Sequence, residues 1–171
     1  MTISNWKDDL QSFVDEVISK VYQLPCKERT MLSVLSAISD LQSTLNRKDF
    51  PSNGCYYISL AQIIDHLMQT IDKKETAHQN EWVCTFWEMY DEQIHQHVSV
   101  EYLIVRHDPV QFSVRKYVVY PLEQQIHTFI QSVVKWARHT FDKVPDYIET
   151  VDLTTGNKQL YWMDGSGGQV P

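Results

Sequence analysis

The spacing of apolar residues changes along this chain of 171 residues, and that change limits the folds open to it. Over the first 75 residues apolar side chains recur every three to four positions, which is helical spacing. Between Val98 and Tyr120 they alternate with polar ones, which is strand spacing. A helical stretch follows Pro121, and alternation returns near the end.

The first helix begins after Asn5, a side chain that caps helices, with Asp8 near the positive end of the dipole. Its stripe is Trp6, Leu10, Phe13, Val14, Val17, Ile18 and Val21. Leu24-Pro25 stops it, because proline disfavours helical geometry in the preceding residue. A second helix is predicted from about Cys26 to Asn46, with Leu32, Leu35, Ile38, Leu41 and Leu45 inward and Ser33, Ser36, Ser39 and Ser43 solvated. After a loop through Asn46–Tyr57, a third helix is predicted to start at Ser59. Gln62 completes its capping box and Ile58 and Ile63 form a hydrophobic staple. Ile63, Ile64, Leu67, Met68 and Ile71 make its core side, and it fades at Lys73-Lys74.

Glu81–Asp91 (EWVCTFWEMYD) reads as a strand, though a helix with Trp82, Phe86, Met89 and Tyr90 inward has the same composition. Val98–Arg106 sets Val98, Val100, Tyr102 and Ile104 against Ser99, Glu101, Leu103 and Val105. Gln111–Tyr120 alternates likewise. Between them, His107-Asp108-Pro109-Val110 makes a tight turn with proline at its second corner. Pro121 opens a long fourth helix striped by Leu122, Ile126, Phe129, Ile130, Val133, Trp136, Ala137 and Phe141, ended by Val144-Pro145. A hairpin closes the pattern: Tyr147–Leu153, a turn at Thr154-Thr155-Gly156-Asn157, then Lys158–Met163.

The expected class is α+β: three amphipathic N-terminal helices, an antiparallel meander of two or three strands, a long fourth helix and a C-terminal β-hairpin. One domain is expected over 1–163, helical over 1–75 and sheet plus helix over 80–163. Residues 164–171 have linker composition. A chain of this length buries roughly 70% of its unfolded surface, and its 20 Trp, Tyr and Phe residues furnish an aromatic core.

Charge and cysteine content narrow the partners. A net charge of −7 repels phosphate backbones, so nucleic acid is not an expected partner. The best basic group, Lys135, Arg138, His139 and Lys143, falls in the last turns of the fourth helix, where cations complement the dipole. Cys26, Cys55 and Cys84 form no C-x-x-C pair and suit a reducing compartment. The N-terminus lacks a signal-peptide profile and no apolar run approaches a membrane span. The expectation is a cytoplasmic protein with no membrane role.

Motifs for chemistry are sparse. There is no G-x-G-x-x-G, no phosphate-binding P-loop and no G-x-S-x-G elbow. His95 and His97 form an H-x-H pair that a strand would place on one face, the weak metal candidate of this sequence. No third ligand is signalled. Glu75-x-x-His78 and Glu92-x-x-His95 have the spacing of di-iron bundle sites but lie at a helix end and near a strand. Cys84 reads as a small buried hydrophobe. Asp65-His66 and Glu123/His127 carry no dyad by spacing alone. No catalytic residue and no cofactor is assigned.

Aromatic residues point to binding instead. Leu160 and Trp162 share one face of the last strand, with Tyr161 and Met163 on the other. Trp87, Tyr161 and Trp162 are the interaction candidates, for a protein partner or a second copy. The sequence thus favours a non-catalytic interaction module: an adaptor, dedicated chaperone, immunity-type inhibitor or assembly subunit. The alternative is a small enzyme or ligand-binding sensor with a site assembled from scattered His, Asp, Glu and Cys.

Overall fold

A computed structural model describes residues 5–71 and 80–169. Among these, the chain divides into two compact units. The first holds residues 5–71, 117–120 and 151–157; the second holds 80–116, 121–150 and 158–169.

In the first unit, α1 (Trp6–Tyr22) is capped by Asn5, whose side chain accepts from the Lys7 amide, and buries the expected stripe from Leu10 to Val21. α2 is shorter than expected. Cys26–Glu28 form a 3₁₀ turn, and Thr30 and Ser33 close a reciprocal capping box, so α2 starts at Met31 and runs to Leu41. Its inward face also differs. Val34, Ala37 and Ile38 are buried, while Leu32 is 75% exposed and Leu35 is exposed too. The segment carries two apolar stripes, and the one with smaller side chains lets α2 approach α1 closely. The serines at 36, 39 and 43 are exposed, as expected.

α3 (Asn53–Ile71) begins six residues earlier than the capping-box signature implied. Ser52 supplies the first-turn cap by accepting from the Cys55 amide. Ser59 therefore lies inside the helix, 1% exposed, sharing a hydrogen bond of 2.9 Å with the Tyr120 hydroxyl. Ile58, cast as half of a staple, is exposed. Trp6, Phe50, Tyr56 and Tyr120 form a chain of ring contacts near 5 Å. Lys73, Lys74, Glu75 and His78 lie outside the described residues.

The strands make one five-stranded sheet in the order β1-β2-β3-β4-β5. They are β1 (Glu81–Asp91), β2 (Gln96–His107), β3 (Phe112–Val118), β4 (Tyr147–Asp152) and β5 (Lys158–Trp162). Glu81–Asp91 is thus strand, not helix. β1, β2 and β3 form an antiparallel meander. The β2–β3 turn is closed by the Asp108 amide donating to the Gln111 carbonyl.

The expected purely antiparallel sheet with a separate hairpin is corrected at β4. The Asp146 amide donates to the Phe112 carbonyl and the Leu153 amide to the Val118 carbonyl, so β4 runs parallel to β3. A parallel pair needs a long crossover, and α4 (Glu123–Phe141) is that crossover. β4 then turns back into β5 through Asp152–Asn157. There Gly156 has φ 76°, and a Cβ on it would stand 2.8 Å from the His66 ring.

α4 starts after Pro121 and Leu122, with the Gln125 side chain accepting from the Leu122 amide, and ends on Asp142 at φ 51°. It buries Ile130, Val133, Val134, Trp136 and Ala137 against Val100, Leu103, Val105, Phe112, Val114 and Ile148. Leu122, expected in the stripe, is exposed because it precedes the first turn.

Candidate functional site

The second unit carries its distinctive surfaces along β1, β2 and β5. Strict alternation along β2 would place Val98, Val100, Tyr102 and Ile104 on one face. Instead Val100, Leu103 and Val105 share the α4 side. Tyr102 stands at φ 49°, in the left-handed region, and reverses the phase of the strand there. β1 reverses with it. Cys84 and Trp87, of opposite parity, both pack against the α4 core, and the pairing with β2 stays in register from Glu81↔Arg106 to Asp91↔Gln96.

The kink divides the β1–β2 ladder into two parts. On one side, Glu81 lies with Arg115 and Glu149 on the face away from α4. The Arg115 Nε donates to Glu149, and its Nη1 lies 3.8 Å from Glu81 Oε1. Both carboxylates are buried, so the guanidinium supplies the charge that makes their burial tolerable. On the other side, cross-strand pairs Phe86↔Glu101, Glu88↔Ser99 and Tyr90↔His97 face solvent. Glu88 Oε1 and His97 Nδ1 are 2.7 Å apart, and the Tyr90 and His97 rings are in edge contact. Beneath them Asp91 receives a 2.6 Å hydrogen bond from Lys135 of α4, and that bond holds its carboxyl below the usual carboxylate range.

β2 pairs with β3 only from Ile104 to His107. Beyond that point the Lys116 Nζ donates to the Glu101 carbonyl. A groove of about 1000 Å³ lies between β2 and α4, lined by Val98, Ser99, Gln125, Thr128, Phe129 and Ser132 among others. In the first unit, the corresponding end of β3 has the Gln11 amide as a substitute strand. Its Nε2 donates to the Tyr117 carbonyl, and its Oε1 accepts from the Val119 amide.

The two outer strands carry exposed apolar side chains. On β1, Trp82 is 42%, Phe86 58% and Tyr90 49% exposed. On β5, Leu160 and Trp162 are about half exposed, with Trp162 leaning on the Tyr147 ring at 5.1 Å. The opposite side of β5, Tyr161 and Met163, packs against the α4 core. After β5 the chain turns at Asp164, whose carboxylate accepts from the Ser166 hydroxyl and the Gly168 amide, and Gln169 bridges back to Met163.

These positions sort the sequence candidates. Trp162 is exposed, whereas Trp87 and Tyr161 are half-buried against the core. His95 occupies the β1–β2 turn at φ 52° and His97 lies in β2, so the two do not share a strand face. Among the described residues no group of three or more His, Cys, Asp or Glu is placed to hold a metal ion. Glu92 sits in the same turn as His95. Burial raises the Cys84 thiol pKa, which opposes thiolate chemistry. His66 Nδ1 meets the Leu153 carbonyl at 2.8 Å, and His127 Nε2 meets the Gln131 amide at 3.0 Å. The basic group, with Lys135, Arg138 and His139 on α4 and Lys143 just past its end, is engaged internally. Lys135 bonds Asp91, Arg138 donates to the Ser166 carbonyl, His139 lies against Trp87, and Lys143 is 3.7 Å from Asp146.

On β1 the sequence reading chose Trp87 as the interaction candidate, whereas Trp82, Phe86 and Tyr90 are the exposed aromatic residues. The signal that marks them is the absence of Lys, Arg and Pro throughout β1, the residues that ordinarily guard an outer strand. No helix among the described residues is long and apolar enough to cross a membrane. The chain matches no protein-family model, no curated protein and no solved structure.

Proposed function

We propose that this protein is a non-catalytic protein–protein interaction module, acting as an adaptor, dedicated chaperone, inhibitor or assembly subunit. The observation that carries this reading is the concentration of half-exposed apolar side chains on both outer strands of the sheet. Trp and Tyr are the side chains that anchor interfaces, and outer strands offer backbone hydrogen bonds to a partner. A net charge of −7 favours encounter with a basic partner surface. A second copy of the chain is another occupant of such a strand, and light scattering over a concentration series tests it.

Affinity capture from the native cell lysate, with the co-purifying proteins identified, is the decisive test. The expected result is a stoichiometric partner that is lost on Phe86→Ala or Trp162→Ala while thermal stability is unchanged. Nothing captured, together with a small molecule that raises the melting temperature, overturns the reading.

A ligand-binding sensor is the second reading. The groove between β2 and α4 supports it, with Phe129 set among Ser, Thr and Gln side chains that could bind a polar ligand. A ligand whose stabilising effect is lost on Phe129→Ala would support that alternative.

A further inference from the structure

We propose that β1 is a docking strand for an extended, positively charged segment of a partner protein, which adds to the sheet beside it. This rests on the interaction-module reading and names the surface and the chemistry of the partner.

β1 is the outermost strand and pairs with β2 alone among the described residues. A strand in that position presents a row of backbone donors and acceptors on its far side. Natural sheets protect such strands with lysine, proline, bulges or short length. β1 runs for eleven residues and contains no Lys, Arg, Pro or Gly, and its register with β2 is the same on both sides of the phase reversal between Cys84 and Trp87.

Charge selects the occupant. β1 and its turn contain Glu81, Glu88, Asp91 and Glu92, with no Lys or Arg. Arg115 answers Glu81 and Lys135 answers Asp91. Glu88 and Glu92 are left facing outward, and Glu101 is exposed beside Phe86. Glu88 meets His97, which carries charge only when protonated. The exposed face thus alternates aromatic rings with carboxylates. Its complement is an extended segment whose residues on that one face, every second residue of the segment, alternate between apolar side chains and Lys or Arg.

A second copy fits less well. Two β1 strands paired antiparallel about Phe86 would set Trp82 opposite Tyr90. The reversal of phase between Cys84 and Trp87 puts those two rings on opposite faces. Each chain would also bring its own Glu88 and Glu92 to the seam.

The test uses the full chain and three fluorescein-labelled decapeptides: a repeat of Lys-Thr-Val-Thr, which alternates Lys and Val on one face (the Lys-Val peptide), the same repeat with Glu for Lys (the Glu-Val peptide), and the Lys-Val peptide with a central proline. Fluorescence anisotropy reads binding, and amide hydrogen exchange followed by mass spectrometry locates it. The expected result is binding of the Lys-Val peptide, at least about tenfold tighter than either control and weakened by added salt. Exchange should slow over residues 81–91. A double variant, Phe86→Lys with Glu88→Lys, should lose that binding about tenfold and gain affinity for the Glu-Val peptide, with its melting temperature within a few degrees of wild type.

No binding at millimolar peptide, equal binding of the Glu-Val peptide, or protection confined to other strands overturns the proposal. So does a wild-type dimer whose protected amides lie in β1. If lysate capture finds a partner that Trp162→Ala releases and the β1 double variant retains, the module reading stands and the β1 assignment falls.

Discussion

β1 and β4 belong to one sheet and contradict what their compositions suggest. β1 holds two tryptophans, a phenylalanine and a tyrosine in eleven residues, yet most of it is half-exposed or exposed. β4 reads Tyr-Ile-Glu-Thr-Val-Asp, and its four central residues are all buried, Glu149 and Thr150 included. The difference is placement. β4 is flanked by strands on both sides and meets the α4 core through Ile148, while Arg115 answers its glutamate. β1 has one strand neighbour. Burial in a sheet follows the number of neighbours a strand has, and apolar content beyond that is left for something else to cover.

The comparison can be broken by mutation. Ile148→Ala on β4 removes a fully buried side chain and should cost about 3 kcal/mol, read from urea unfolding. A cost below about 1 kcal/mol would mean that the site collapses around the gap and that β4 is less tightly held than its burial implies. Arg115→Met should cost somewhat less, about 2 kcal/mol after allowance for its partial exposure. It removes the guanidinium bonded to the buried Glu149 carboxylate, so the further change Glu149→Gln should restore part of the loss. A double-mutant cycle in which the two changes simply add would refute that coupling.

Acid should act on β1 where it is tied to α4. The Asp91 carboxyl is held low by Lys135, so its folded-state pKa lies below the unfolded one. Its contribution is therefore full above the ordinary carboxylate value and fades as pH falls through the folded value. Wild type should be more stable than Asp91→Asn at pH 7, and the gap should close on acidification toward pH 3. A gap that widens instead would reverse the assignment. The smallest effect is expected from Phe86→Ala, within about 0.5 kcal/mol. A loss matching that of Ile148→Ala would show β1 to be core rather than surface.

Much of the architecture was legible in residue spacing. The α1 stripe, the α4 stripe from Ile126 to Phe141, the β2–β3 turn at Pro109 and the β4–β5 hairpin were all readable, since each is fixed by local periodicity or turn chemistry. What was hidden came from competition between local signals. Ser52 and Ser59 both offer helix caps, and the earlier one prevailed. α2 carries two apolar stripes, and periodicity cannot say which turns inward. The phase reversal at Tyr102 is a backbone event with no residue-type marker, because tyrosine is not a residue that prefers positive φ. The parallel partnership of β3 and β4 was available in principle, since a helix of nineteen residues between two apolar strands is what a crossover needs. Of the candidate surface, Trp162 was found by pattern, whereas on β1 the half-buried Trp87 was chosen over the exposed Phe86 and Tyr90, because composition does not say which face of an outer strand is covered.

The Gln11 amide that stands in for a strand beside β3 also sets a schedule. Its two hydrogen bonds join residues 106 and 108 positions apart. During synthesis at roughly 5–20 residues per second, α1 emerges about 5–20 s before the backbone it must meet. Its apolar side has only nearby helices to rest on during that interval. Contacts of such long range are paid for in loop-closure entropy before they return anything, which slows folding. α1 is made well before the strand backbone that Gln11 joins, and that contact is thus among the last to form.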